Sequence, residues 1–243
     1  MNNATLLLKA QSPAALAEEY IVKSIWNNHF PAGSVLPSER DLAEKIGVTR
    51  TTLREVLQRL ARDGWLNIQH GKPTHVNNIW DSAGPNIINT IIKLDPSSTP
   101  TIIANAVSLR TRIAEYYIPE AVRIDSVAGL ALFVALPTSD DSAEYFAEFD
   151  YQLFRKLTFI AKKPVYGLIL NSFKALYHKT ATLFFSSPKS RQITLEFYQS
   201  LKRAFEQGDE KAAEHCMRRS REQSNVIWQQ LLKQLPSSFS EVS

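Results

Sequence analysis

Pro37-Ser38-Glu39-Arg40-Asp41-Leu42-Ala43-Glu44-Lys45-Ile46-Gly47-Val48-Thr49-Arg50-Thr51-Thr52-Leu53-Arg54-Glu55-Val56 reads as two short helices joined by a tight turn. Ser38 is a good N-cap, and Asp41 three residues later completes a capping-box pattern. Leu42 and Ile46, four apart, share one helix face. Gly47 can adopt a left-handed conformation and end that helix. Thr49 caps the next one, where Leu53, Val56, Leu57 and Leu60 form a single apolar stripe. Arg50, Thr51 and Arg54 fall off the stripe in the first turns. That end of a recognition helix reaches base edges, where arginine pairs bidentately with guanine and threonine offers a hydroxyl and a methyl group. The pattern predicts a helix-turn-helix at about residues 39–58. A capped surface helix with solvated charges is the bland alternative.

The residues that follow weigh against the bland reading. Arg62-Asp63-Gly64 ends the helix. Trp65-Leu66-Asn67-Ile68-Gln69 and Thr74-His75-Val76-Asn77 then flank His70-Gly71-Lys72-Pro73. Two short β-prone runs around a glycine turn read as a hairpin. Placed behind a helix-turn-helix, that hairpin is a wing at about 65–77, and its tip suits a phosphate backbone or a minor groove. Upstream, Ser12 and Pro13 open an amphipathic helix that continues to Trp26.

The chain has 243 residues, enough for two domains, and one cysteine, Cys216, so no internal disulfide forms. No apolar run is long enough to span a bilayer. The first residues lack a basic region and a cleavage site, so no secretory signal is expected. Together these place the protein in the cytoplasm. The net charge of +4 is a weak pointer to nucleic acid. Placement says more, because Arg40, Arg50, Arg54 and Lys72 all fall on the elements that face DNA in a winged helix.

Gly84-Pro85 and Asp95-Pro96-Ser97-Ser98-Thr99-Pro100 punctuate a linker, residues 78–100, with a short apolar helix from Ile87 to Leu94. Beyond it only helical periodicity appears. The segments run from Thr101 to Arg123, Asp125 to Leu136, Ser142 to Ala161, Val165 to Phe185, Ser190 to Gln207 and Asp209 to Leu235, with frayed residues from Ser237. The expected fold is therefore mainly α. A winged helix-turn-helix domain of α+β type (11–77) is followed by an all-α antiparallel bundle (101–236).

These motifs resemble the GntR family of transcription regulators. The resemblance rests on Leu36 to Ala43, on Gly47 to Leu57, and on Leu60 to Leu66. Lys9 to Pro13, Ser24 to Asn28, Ile68 to Thr74, Phe149 to Tyr151 and Tyr166 to Asn171 resemble, more narrowly, the family's branch that regulates fatty-acid metabolism. The resemblance implies a homodimer on double-stranded operator DNA; with no bilayer-spanning run, no membrane partner is expected. It implies repression of fatty-acid degradation genes and activation of unsaturated fatty-acid synthesis genes. Long-chain acyl-CoA would bind the helical domain and release the DNA, with no cofactor. It assigns DNA contacts to Arg40, Thr49, Arg50, Thr51, Thr52, Arg54, His70, Gly71 and Lys72, and effector contacts to Ser224, Trp228 and Lys233.

Many relatives with such a helical domain hold a metal with one Asp and three His. Here Asp150 is present, but Phe154, Tyr198 and Ser220 stand at the His positions, so no metal is expected. The last helix carries an inward stripe of Ala213, Met217, Ser220, Ser224, Trp228, Leu231 and Leu235. Its two serines leave space beneath Trp228 or allow close helix packing. Arg110 joins this effector set. It lies on the stripe of Ile103, Ala106 and Ile113, and a buried arginine needs an anion, either a carboxylate such as Glu115 or a ligand phosphate. No phosphate loop, nucleophile elbow or HExxH is present, and Asp140-Asp141 reads as a solvated turn, so no enzyme is expected. The alternatives are a GntR-type regulator sensing a small organic acid through a metal, and an acyl-CoA-binding protein whose helix-turn-helix is incidental.

Overall fold

A computed structural model describes residues 11–235 and Phe239. The chain divides into two compact units, one up to Ile87 and one from Ile88 onward.

The first unit begins with α1 (Pro13–Trp26), where the Ser12 hydroxyl accepts from the Ala15 amide. In α2 (Glu39–Ile46), Ser38 caps the Asp41 amide at 3.2 Å, and Gly47 closes the helix at φ +81. The expected capping box is only half formed, because the Asp41 carboxylate accepts from Arg40 instead. Thr49 caps α3 (Arg50–Arg62) through the Thr52 amide. Leu42, Leu53, Val56, Leu57 and Leu60 are buried together with Leu36, Trp65 and Leu66. That is the core the apolar stripes predict.

The wing is shorter than the β-prone runs suggest. Its strands are β1 (Leu66–Asn67) and β2 (His75–Val76), antiparallel, with Leu66 opposite Val76 and an extra bridge from His75 to Val35. Gly64 lets the wing's base close, since a Cβ there would lie 2.7 Å from the backbone of Ser82 and Ala83. That backbone belongs to α4 (Ile79–Ser82) and its cap.

Among its described residues the second unit consists of helices and turns, with no strand. It comprises α5 (Ile88–Leu94), α6 (Thr99–Leu130), α7 (Ala143–Ile160), α8 (Pro164–Ser172), α9 (Lys174–Phe185), α10 (Pro188–Gln207) and α11 (Glu210–Lys233). Helix α6 packs on α11, α7 and α10, and α7 also packs on α9. Two expected segments differ. The boundary near Asp125 is a kink inside α6, where Asp125 leaves helical geometry and its carboxylate recaps the Ala128 amide at 2.9 Å. The segment expected as one helix from Val165 to Phe185 breaks at Phe173 into α8 and α9. Apolar periodicity runs through the break because both helices bury rings in the same interior, and periodicity does not register a change of direction. The Asp140-Asp141 segment is the expected turn, with Asp141 accepting from the amide and hydroxyl of Thr138. The frayed residues expected from Ser237 lie outside the described residues, apart from Phe239.

A candidate DNA face and a candidate effector cavity

On the first unit, α3 buries its leucines and exposes Arg50, Thr51 and Arg54. The three arginines expected near DNA are held differently. Arg50 has no ion-pair partner among the described residues. Arg54 is gripped by Glu39, with Nη2 at 2.7 Å and Nε at 3.2 Å from Oε2. Those hydrogen bonds hold its guanidinium above the usual pKa. Arg40 lies 3.2 Å from Asp41. Thr49 and Thr52 share their hydroxyls at 2.9 Å, so both are already engaged in holding the helix start. Thr51 points its polar end free of such a bond among the described residues. At the wing tip His70, Gly71 and Lys72 are exposed. Gly71 sits at φ +70, and the Lys72 amide donates to Gln69 across the turn at 3.1 Å. Glu39 escaped sequence reasoning. It stands fifteen residues from Arg54, and no periodicity links one helix start to another.

In the second unit α6, α7, α8, α9, α10 and α11 surround a solvent-open cavity of about 90 Å3. Its wall is mostly rings and aliphatic groups, among them Phe154, Leu176, Phe184, Phe197 and Trp228. Arg110, Ser224 and Trp228 come together on this wall, as does Ser220. Trp228 stacks on Phe184 with 5.3 Å between centroids. The Ser224 hydroxyl donates to the Ser220 carbonyl at 2.7 Å, so it is turned onto its own helix. Both serines line the cavity. Lys233 does not join the wall; it is exposed in the last turn of α11.

A buried polar knot forms one side of the cavity. Asp150 on α7 accepts from Arg110 on α6, from the Tyr177 hydroxyl on α9 at 2.5 Å, and from the Tyr198 hydroxyl on α10 at 2.7 Å. Arg110 Nε also donates to Tyr177 at 2.8 Å, and its guanidinium stacks 3.7 Å over Phe154. This corrects one expectation: Arg110's anion is Asp150, whereas Glu115 pairs with Arg221. Asp150 and Arg110 stand forty residues apart on different helices, so sequence spacing offered no pointer to the pair. Burial alone would lower the Arg110 pKa, but the Asp150 carboxylate more than offsets it. Burial, reinforced by Asp150, pushes the Tyr177 and Tyr198 hydroxyls well up, so both remain protonated donors.

Residues 13–76 match the family described as bacterial regulatory proteins, gntR family, and residues 77–240 match the FadR C-terminal domain. The chain belongs to the FadR branch of the GntR family. Among FadR-branch relatives, the fatty acid metabolism regulator protein of Haemophilus influenzae strain Rd is 56% identical over 99% of this chain and 100% of its own length. That of Pasteurella multocida is 54% identical over the same shares. That of Proteus mirabilis is 48% identical over 98% and 99%. In fold, this FadR-branch chain is similar to Lar, which controls the expression of the Listeria monocytogenes agr system. The TM-score is 0.53 at 14% identity, covering 92% of this chain and 99% of that one.

An Asp-and-His metal set does not fit this FadR-branch cavity. Both Asp150 oxygens are occupied by a guanidinium and two phenols, and the remaining positions offer a phenyl ring and a serine. Among the described residues no three His, Cys, Asp or Glu side chains converge. His178 is engaged with Glu148 and the Lys174 carbonyl, and His215 is exposed. None of the described helices is long and apolar enough to cross a membrane.

Proposed function

We propose that this FadR-branch regulator is a cytoplasmic homodimer that binds a pseudo-palindromic operator and is released from it by long-chain acyl-CoA. It represses fatty-acid degradation genes and activates genes of unsaturated fatty-acid synthesis. Residues 11–77 bind DNA, 78–100 link, and 101–236 bind the effector. The observation that carries the effector reading is the cavity. Its ring-lined wall, with Phe154, Phe184, Phe197 and Trp228, suits an apolar tail better than a small carboxylate. The names of the relatives at 48–56% identity support the fatty-acid link.

Arg50 and Thr51 read base edges, while Arg40, Thr49, Thr52, His70, Gly71 and Lys72 set the helix and wing against the backbone. Arg54 joins them by exchanging Glu39 for a base or a phosphate. One recognition helix covers a half-site, and a two-fold protein uses a two-fold site. Ser224 and Trp228 border the acyl chain, and Lys233 meets a phosphate of the head group outside the cavity. Arg110 fixes the wall and its anion partner. Gel retardation of a fragment upstream of a fatty-acid gene, with and without oleoyl-CoA, tests the reading. Retardation relieved by oleoyl-CoA and untouched by free coenzyme A is expected. No retardation, or retardation indifferent to acyl-CoA, overturns it. Release must be reciprocal, with DNA weakening acyl-CoA binding by the same factor.

A further inference from the structure

The helical unit carries a long stretch of charge with one sign. Between Tyr151 and Leu195 the chain has eight Lys and Arg residues and no Asp or Glu. Asp150, the acid that bounds the run, is buried in the knot with Arg110. Four of the eight cations lie on this side of α7 and α8: Lys162 and Lys163 at the turn between them, and Arg155 and Lys156 on the last two turns of α7, where Arg155 donates to Asn171 at 2.8 Å. None of the four makes a salt bridge among the described residues.

The same corner exposes apolar groups. Val165 and Leu168 are 62% and 61% exposed, one helical turn apart on α8. Gly167 between them turns inward, since a Cβ there would lie 2.7 Å from the Thr158 hydroxyl and 2.9 Å from the Phe159 ring. That close seat of α8 on α7 leaves Val165 and Leu168 facing out. Phe159 and Tyr116 are also exposed, with Arg155 and Lys163 each 5.2 Å from one of their ring centroids. Lys162 adopts φ +55, a left-handed conformation that glycine or asparagine takes with less strain. That geometry ends α7 in a Schellman-type cap, with the Lys163 amide donating to the Thr158 carbonyl at 2.8 Å, and leaves the Lys162 side chain exposed at the corner.

We propose that the α7–α8 corner is a peripheral contact for an anionic lipid surface. Phe159, Val165 and Leu168 enter the boundary between headgroups and acyl chains, and Arg155, Lys162 and Lys163 meet the phosphates. Apolar tips flanked by long cations are the chemistry of segments that lie on a bilayer rather than span it. The cations' methylene stems reach past the apolar tips to the headgroups. A second copy packed two-fold on this face would set like charges against each other. Nucleic acid would leave Val165 and Leu168 without an apolar partner. The surface lies wholly in the helical unit and does not depend on which effector fills the cavity.

Sedimentation of the full chain with phosphatidylcholine vesicles, with and without phosphatidylglycerol, tests this. Binding only to the anionic vesicles, weakened by salt, is expected. K162Q/K163Q should lower the partition coefficient roughly 25-fold, about fivefold for each cation removed. V165S/L168S should weaken binding while leaving its salt dependence intact. Both double variants should keep wild-type circular dichroism and operator affinity. Arg50→Ala, on the DNA face, should leave vesicle binding unchanged. The proposal is overturned if anionic vesicles do not bind at low salt, or if binding survives both double variants. Loss of vesicle binding in Arg50→Ala overturns it too, as does capture by polyglutamate without any capture by vesicles.

Discussion

Asp150→Asn removes the charge that balances Arg110 while keeping nearly the same shape. The Arg110 side chain is 24% exposed and that of Asp150 is 7% exposed, so solvent screens the pair little. Removing one partner of a buried pair leaves the other uncompensated, at a cost of about 3–5 kcal/mol. The nitrogen of the new side-chain amide would also face a donor, either Tyr177 or Tyr198, where the carboxylate now accepts from both. With a urea slope of roughly 2 kcal/mol/M, the unfolding midpoint of the helical unit should fall by about 2 M. Far-UV circular dichroism reports it, because nearly all the helix outside α1 to α4 belongs to that unit. Adding Arg110→Met should recover at least half the loss, since an apolar replacement of both partners is often near neutral. A single variant within about 1 kcal/mol of wild type, or a double variant no more stable than the single, would refute the view that Asp150 serves chiefly to neutralise Arg110.

Arg50→Ala should cost about 1–3 kcal/mol of specific operator binding at fixed salt without changing the unfolding curve; unchanged affinity sinks the base-contact role. Lys72→Ala should weaken binding to all sequences alike and reduce the salt slope by about one, so an unaltered slope counts against a wing-tip phosphate contact. Ser224→Asn projects a larger polar group into the space beneath Trp228 and should block relief by oleoyl-CoA while sparing operator affinity; full relief would place the acyl chain elsewhere. Gly129→Ala would bring a methyl group within 2.0 Å of the Phe205 ring, and should cost about 1–3 kcal/mol by overpacking, read as a lowered midpoint in the same urea titration.

The helix-turn-helix was legible because its signals are local. Ser38, Gly47 and Thr49 each act within four residues, and the Leu53 to Leu60 stripe declares its own buried face. The bundle was legible as helices but not as a path. The break at Phe173 lies inside an uninterrupted apolar rhythm, and the kink at Asp125 replaces a boundary that looked complete. The departure from a metal site was readable from Phe154, Tyr198 and Ser220. What replaces it was not, because the Arg110–Asp150 pair and the Arg54–Glu39 pair join residues that no spacing rule connects. Ser220 and Ser224 were ambiguous between tight packing and empty space. The structure places both on the cavity wall, near Trp228 stacked on Phe184.

Four helices meet at one carboxylate in this domain: α6 through Arg110, α7 through Asp150 itself, α9 through Tyr177 and α10 through Tyr198. Ring packing alone tolerates sliding, because one apolar contact exchanges for another at little cost. A buried carboxylate with three donors does not, since a shift of any one helix leaves a polar group unpaired at about 1–3 kcal/mol. The knot therefore fixes the mutual register of the helices that line the cavity. In an Asp-and-His metal set an exchangeable dication would make that cross-link. In this chain the cation is a guanidinium anchored to α6, so the cross-link cannot be chelated away. Its rigidity also bears on coupling: a ligand shifts an equilibrium only by its differential affinity for the two arrangements. Under the proposed acyl-CoA function, a tail that fills the cavity without disturbing Asp150 would favour the arrangement seen here. A tail that pressed on Phe154, beneath Arg110, would work against it.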